Sequence, residues 1–241
     1  MNKLKIKVCG MRDPENISGV VAALPDYLGF IFYPKSKRFV GFEPSPEVLA
    51  KIPVSVKKVG VFVDESSEKV LEISKKWNLD VVQLHGQETP EYCLQIRNSG
   101  IIVFKAFSVD ESFDFATLNA WSGVCDYFLF DTKGHLPGGT GQKFNWQLLE
   151  SYKLNVPFFL SGGIGPGNME AIHNFEHPRW RGIDINSGFE IEPALKDVEK
   201  VRTFIEEIRR LPEDGIKEQK LKEQTFHSSS TIEIIEPNSK L

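Results

Sequence analysis

Cysteine is scarce in this chain, and the placement of the few present excludes as much as their number. Cys9, Cys93 and Cys125 form an odd set, far apart in sequence, with neither CxxC spacing nor a nearby His pair. That pattern describes neither a disulfide framework nor a zinc site. It fits thiols kept reduced, and hence a cytoplasmic location. Long hydrophobic runs are missing too. No stretch approaches the ~18 apolar residues of a membrane span. The opening Lys3-Leu4-Lys5-Ile6-Lys7-Val8 alternates charged and apolar side chains, unlike the apolar core of a signal peptide. No single charge dominates either. The net charge is -4, and Lys and Arg are scattered among Asp and Glu, so neither nucleic acid nor a membrane is an expected partner. His135, His173, His177 and His227 lack ligand spacing with Cys or carboxylates, so no metal is assigned.

What the chain does have is the makeup of a folded domain. Its 241 residues are 41% hydrophobic and 26% charged, enough to bury a substantial core as a single α/β unit. Short runs rich in Val, Ile and Phe recur, each followed by a turn signal and then by helical spacing. They predict strands at Ile6 to Cys9, Leu28 to Phe32, Lys58 to Val63, Val81 to His85, Ile102 to Phe107, Tyr127 to Asp131, Phe158 to Ser161 and Gly182 to Asn186. Eight is the strand number of a (β/α)8 barrel, the fold class expected here.

Helix starts are legible where Asp13-Pro14, Ser45-Pro46 and Thr89-Pro90 each set a capping oxygen before a proline. Ile17, Val20, Val21 and Leu24 then make one apolar stripe. Val198, Val201, Ile205 and Ile208 make another, with Lys196, Glu199, Lys200 and Arg202 falling mainly elsewhere around that last helix. Trp77, Trp121, Trp146 and Trp180 read as packing residues. An open doubly wound sheet would also alternate strand and helix. Polar residues at the ends of different strands, namely Cys9, His85, Asp131, Ser161 and Asn186, favour the barrel, whose active site lies on the C-terminal face. The barrel is expected over residues 1–211. Residues 212–241, charged and Ser-rich, read as a partly disordered tail.

Two glycine-bearing turns come late. Ser161-Gly162-Gly163-Ile164-Gly165 follows the seventh strand, and Asn186-Ser187-Gly188 ends the eighth. In a barrel these turns are neighbours, and glycine lets backbone N–H groups approach an anion closely. Gly162, Gly163, Asn186, Ser187 and Gly188 are therefore candidate phosphate ligands, although each loop alone could be a mere tight turn.

Cys9 and Asp131 close the first and sixth strands and should face each other across the barrel mouth. A thiolate can take a proton from carbon and a carboxylic acid can give one to oxygen, which is the pairing that general acid/base catalysis needs. A buried core thiol is the alternative for Cys9. Lys7 shares its face and needs an anionic partner, for which Asp184 is the candidate. Lys7 is also expected to lower the Cys9 pKa. Arg38 could fork onto a substrate carboxylate, or simply be solvated. His85 could hydrogen-bond substrate, or be structural. The glycine-rich segment Thr132 to Gln142 suits either a mobile lid or a plain connector.

Lys7-Val8-Cys9-Gly10, Ser36-Lys37-Arg38, Val82-Gln83-Leu84-His85-Gly86, Asp131 with Gly138-Gly139-Thr140-Gly141 and Phe144-Asn145-Trp146, Ser161-Gly162-Gly163-Ile164, and Asp184-Ile185-Asn186-Ser187-Gly188-Phe189-Glu190 follow one another in order. Together they resemble phosphoribosylanthranilate isomerases of tryptophan biosynthesis over roughly Leu4 to Arg210. The stretch Glu192 to Asp197 departs from the family pattern, as does Asn186, where serine is common.

The resemblance implies a cofactor-free Amadori rearrangement of a phosphorylated aminoaldose to its ketose. In that reading Cys9 and Asp131 are catalytic, Arg38, His85 and Asp184 bind substrate, and the two late turns hold phosphate. A histidine-pathway isomerase would pair two aspartates instead, and indole glycerol phosphate synthase would need a lysine and glutamate set. A silent barrel that only binds a sugar phosphate need not keep a matched acid and base. Monomer and homodimer both stay open.

Overall fold

The computed structural model describes residues 3–43, 45–132 and 146–210. The segment read as a lid, beyond Thr132, and the tail 212–241 lie outside the described residues. Eight parallel strands pair in chain order and the last returns to the first: β1 (Lys5–Val8), β2 (Tyr27–Ile31), β3 (Lys57–Phe62), β4 (Val81–Leu84), β5 (Ile102–Val109), β6 (Tyr127–Thr132), β7 (Phe158–Ser161) and β8 (Trp180–Ile185). Closure of β8 on β1, with Lys7 opposite Asp184, removes the open-sheet alternative. Every strand lies within two residues of its predicted place.

The helices α1 (Pro14–Ala22), α2 (Pro46–Ala50), α3 (Ser67–Trp77), α4 (Pro90–Asn98), α5 (Met169–Asn174) and α6 (Val198–Arg210) cover the outside. Asp13 accepts from the Asn16 N–H at 2.7 Å and Thr89 from the Tyr92 N–H at 3.3 Å, as their sequence positions foretold, whereas Ser45 makes no capping bond. Between β5 and β6, and between β6 and β7, the described chain forms 3-10 turns at Phe115–Trp121 and Trp146–Ser151.

Two helix readings are corrected. The stripe on α1 stops at Val21, because the chain leaves the helix at Ala23 and turns through a left-handed Leu24, which is 64% exposed. Lys196 is not on the solvated face of the last helix. It is buried in a two-stranded antiparallel hairpin of β9 (Glu190–Glu192) and β10 (Leu195–Lys196), which precedes α6.

Between strands and helices lies one large apolar core, to which Trp77 contributes a fully enclosed ring. Inside the barrel, near the N-terminal ends of the strands, Tyr27, Phe104, Tyr127 and Phe159 interlock with ring centroids 4.8 to 5.8 Å apart. With Val59, Val81 and Leu129 they plug that end. Such a packed interior is what a barrel of this strand number holds in place of a pore.

The same end carries a repeated clamp. Asp26, Asp80 and Asp126 each stand one residue before an even-numbered strand and accept, through Oδ2, the backbone N–H of Ile6, Lys58 or Val103 on the preceding strand, at 2.9, 2.9 and 2.8 Å. Their Oδ1 atoms meet Lys5, Lys57 and Arg97 at 2.9, 3.0 and 3.1 Å. Each carboxylate thus satisfies an otherwise unpaired strand-end amide while its charge is balanced by a cation.

Candidate active site

The C-terminal ends of the strands surround a cavity of about 270 Å³. Cys9 from the end of β1 and Asp131 from β6 both line it, together with His85, Ser161 and Asp184. Its far wall is the pair of late turns, contributing Gly162, Gly163, Asn186 and Ser187. Gly162 and Gly163 have φ of +88° and +65°, conformations that side-chain-bearing residues avoid. A Cβ at Gly188 would stand 2.5 Å from the Ile164 carbonyl oxygen, so the two turns touch backbone to backbone. Each runs on into a short 3-10 turn, Pro166–Asn168 after β7 and Ser187–Phe189 after β8, not directly into a long helix.

Lys7 and Asp184 meet beside Cys9. The ammonium lies 2.8 Å from Asp184 Oδ2 and both side chains are buried, as their pairing in neighbouring strands demands. Burial alone would lower the Lys7 pKa, but Asp184 and Cys9 outweigh it and hold the group charged. The expected lowering at Cys9 does not prevail. Burial pushes the thiol up, and the opposing pull of Lys7 is too small to reverse it. The resting form is therefore the thiol. Gly29, on β2, makes room for this group: a Cβ there would fall 2.8 Å from Cys9 Sγ and 3.1 Å from Lys7 Nζ.

His85 ends β4 and points Nε2 at Asp131 Oδ2, 3.4 Å away. Its Nδ1 is 3.1 Å from Gln83 Nε2. With Gln83 donating, the neutral ring carries its proton on Nε2, facing the carboxylate. Behind it, buried Lys105 donates to the carbonyls of Leu84 and Gly86 on either side of His85, at 3.4 and 2.8 Å, and pairs with Glu88 at 3.1 Å. Backbone placement of His85 is thereby fixed.

Arg38 does not line the cavity. It stands at the edge, where Nε and Nη2 already grip the Glu190 carboxylate at 2.8 and 2.5 Å. Asn186 lines the cavity, and its side-chain oxygen accepts from Lys196 Nζ at 2.8 Å. Gln83, Gly29, Glu190 and Lys196 went unassigned in the sequence reading. Gln83 and Glu190 stand inside quoted motifs, a signal that was available. Lys196 sits in a charged run and gave none. Cys93 and Cys125, distant in sequence, share a hydrogen bond away from this site, and all three cysteines are free and buried.

Residues 6–207 match the family profile of N-(5'-phosphoribosyl)anthranilate (PRA) isomerase. The chain belongs to this family. It is 49% identical to the phosphoribosylanthranilate isomerase of Parabacteroides distasonis over 204 residues, covering 84% of this chain and 92% of that one. Among solved structures, a phosphoribosylanthranilate isomerase in complex with reduced 1-(o-carboxyphenylamino)-1-deoxyribulose 5-phosphate superposes with a TM-score of 0.73 at 31% identity, over 86% of this chain and 98% of that one. Monomers made from the dimeric isomerase of Thermotoga maritima give 0.72 at 32% identity, over 86% and 100%. As a phosphoribosylanthranilate isomerase, the protein converts N-(5-phosphoribosyl)anthranilate to 1-(2-carboxyphenylamino)-1-deoxyribulose 5-phosphate in tryptophan biosynthesis. Among the described residues no helix is long and apolar enough to cross a membrane.

Proposed function

We propose that Cys9 and Asp131 are the base and the acid of this isomerisation. Asp131 gives its proton to the furanose ring oxygen as the bond from that oxygen to C1 breaks. The anthranilate nitrogen lone pair closes onto C1, leaving a protonated Schiff base. The Cys9 thiolate then takes the proton from C2, and the freed electron pair returns to nitrogen through a C1–C2 double bond. The resulting enolamine tautomerises, its 2-hydroxyl losing a proton as C1 gains one, and the ketose results. No electrons are gained or lost, and no cofactor enters the balance.

Phosphate binds at the turns after β7 and β8 through Gly162, Gly163, Ser187 and Gly188, with Asn186 contributing its backbone. Remote anchoring of this kind orients C1 and C2 between the acid and the base. Arg38 binds the anthranilate carboxylate with the guanidinium edge that Glu190 leaves over, and His85 holds Asp131 on the ring oxygen. Asp184 acts on substrate only through Lys7 and the cavity floor it helps to form. The catalytic unit is the barrel, residues 1–211, in keeping with a family match that ends at 207. The free thiols suit a cytoplasmic enzyme. The dimeric Thermotoga maritima relative makes a homodimer the first assembly to test.

One observation carries the assignment of roles: Cys9 and Asp131 line the same cavity, and its wall is the pair of touching glycine turns. The test generates phosphoribosylanthranilate in situ and follows the loss of its fluorescence. Cys9→Ala and Asp131→Asn should each lose at least about a hundredfold in kcat, the scale of a removed general acid or base. Activity retained in both variants removes the assignment.

A further inference from the structure

Next to the cavity, behind Arg38, lies an ion pair to which the mechanism above gives no role of its own, Glu190 with Lys196. Glu190 follows the β8 turn, and the β9–β10 hairpin folds Lys196 back directly opposite it. Glu190 Oε1 accepts from Lys196 Nζ at 2.6 Å, from Arg38 Nε at 2.8 Å and from the Ala194 N–H at 3.1 Å. Its Oε2 accepts from Arg38 Nη2 at 2.5 Å. Lys196 is wholly buried and spends a second donor on Asn186 Oδ1 at 2.8 Å. One carboxylate and one ammonium thus tie together the β2 loop, which carries Arg38, and the β8 turn, which carries Asn186.

The arrangement is tight. A Cβ at Gly10 would lie 2.7 Å from Arg38 Cδ and 2.8 Å from Asn186 Oδ1, so the cluster packs directly on the residue after Cys9. Two cations against one carboxylate leave one positive charge in excess. Among the described residues Arg38 Nη1 has no partner, so the remaining edge of the guanidinium is what this surplus charge presents. Burial would raise the Glu190 pKa, but the hydrogen bonds from Arg38 and Lys196 outweigh it and hold the carboxyl at about 2. The carboxylate stays ionised throughout the neutral range.

We propose that the Glu190–Lys196 pair is a positioning unit that determines specificity. It aims the free edge of Arg38 at the carboxylate of the arylamine and fixes the distance from that edge to the phosphate turn. Selection of a carboxylated arylamine over a plain one then depends on two residues that never touch substrate. A guanidinium already held on two of its nitrogens loses little freedom on binding, which is why preorganisation raises discrimination and not merely affinity. The inference rests on the reading of Arg38 as the carboxylate clamp.

The test measures binding of two stable ligands to the full chain: the reduced product analogue, and its counterpart in which phenylamine replaces carboxyphenylamine. Wild type should prefer the carboxylated ligand. Arg38→Ala should abolish the preference. Glu190→Gln and Lys196→Met should each cut the ratio of dissociation constants by about tenfold or more while moving affinity for the plain ligand by less than about threefold. Glu190→Asp, which keeps the charge, should lose a smaller factor, and it supplies the ratio if Glu190→Gln does not fold.

A purely structural role would weaken both ligands equally, and that result overturns the proposal. So does an unchanged ratio in the Glu190 and Lys196 variants alongside a collapsed one in Arg38→Ala. If Arg38→Ala itself keeps the wild-type ratio, the carboxylate reading of Arg38 falls first and takes the positioning unit with it.

Discussion

The Lys7 ammonium lies between the Asp184 carboxylate, 2.8 Å away, and the Cys9 thiol, with which it shares the space left by Gly29. Among the described cations it is the largest influence favouring a thiolate there, ahead of buried Lys196. Burial raises the Cys9 pKa and Lys7 opposes it, so Lys7→Met should raise it further. The sign is fixed: losing the cation removes a lowering influence. Alkylation of the thiol as a function of pH gives the value, and an unchanged titration would refute the coupling.

Gly29→Ala tests how tightly the thiol is seated. The added methyl would press on Cys9 Sγ from 2.8 Å, and the neighbouring Lys7 leaves it nowhere to go. A shift of the sulfur of a few tenths of an ångström off the C2–H axis should lower kcat by about ten- to a hundredfold. KM should stay close to wild type, because phosphate and carboxylate are held elsewhere. Steady-state kinetics on the fluorescent substrate read both constants, and a loss confined to KM would contradict this placement.

Glu190 ties stability to pH. A carboxyl held at about 2 in the fold, against an ordinary value near 4.5, stabilises the folded state fully above about 4.5 and loses that contribution as pH falls toward 2. Urea unfolding of wild type and Glu190→Gln should therefore show a gap at neutral pH that narrows through this window. A gap independent of pH would mean that the carboxylate's charge is not what stabilises.

The aspartate clamps at the other end are predicted to matter for folding alone. Asp26→Ala, Asp80→Ala and Asp126→Ala each leave a strand-end amide and a cation without their partner, at a cost of about 1–3 kcal/mol apiece. Their kcat should match wild type, since the aromatic plug separates them from the cavity. Denaturant midpoints and turnover measured on the same samples decide it, and a fall in kcat would break the division between the two ends.

Much of this was readable in advance, and the exceptions have separate physical causes. The strands announced themselves because β-branched runs ended in turn residues, and the proline-preceded caps at Asp13 and Thr89 did what their chemistry suggests. The pairing of Lys7 with Asp184 followed from alternation along β1 and the closure of β8 beside it. Lys196 was misjudged because a lysine in a charged run is normally solvated. Only a hairpin two and three residues long, too short for any periodicity, turns it inward onto Glu190. The same lysine takes the Asn186 side-chain oxygen, a contact that the local sequence around Asn186 does not announce. Leu24 kept the helical spacing after the helix had ended. The net direction of the Cys9 shift was out of reach, since it depends on how completely the barrel excludes water. Asp26, Asp80 and Asp126 did carry a local signal, an aspartate immediately ahead of an apolar strand, that passed unnoticed.

The interlocked rings of Tyr27, Phe104, Tyr127 and Phe159 have a kinetic corollary. A vessel stoppered below can be filled and emptied only from above, so the ketose must vacate the same doorway through which the next aminoaldose arrives. Traffic is one molecule at a time, and accumulating product is bound to compete with incoming substrate instead of draining through the far side.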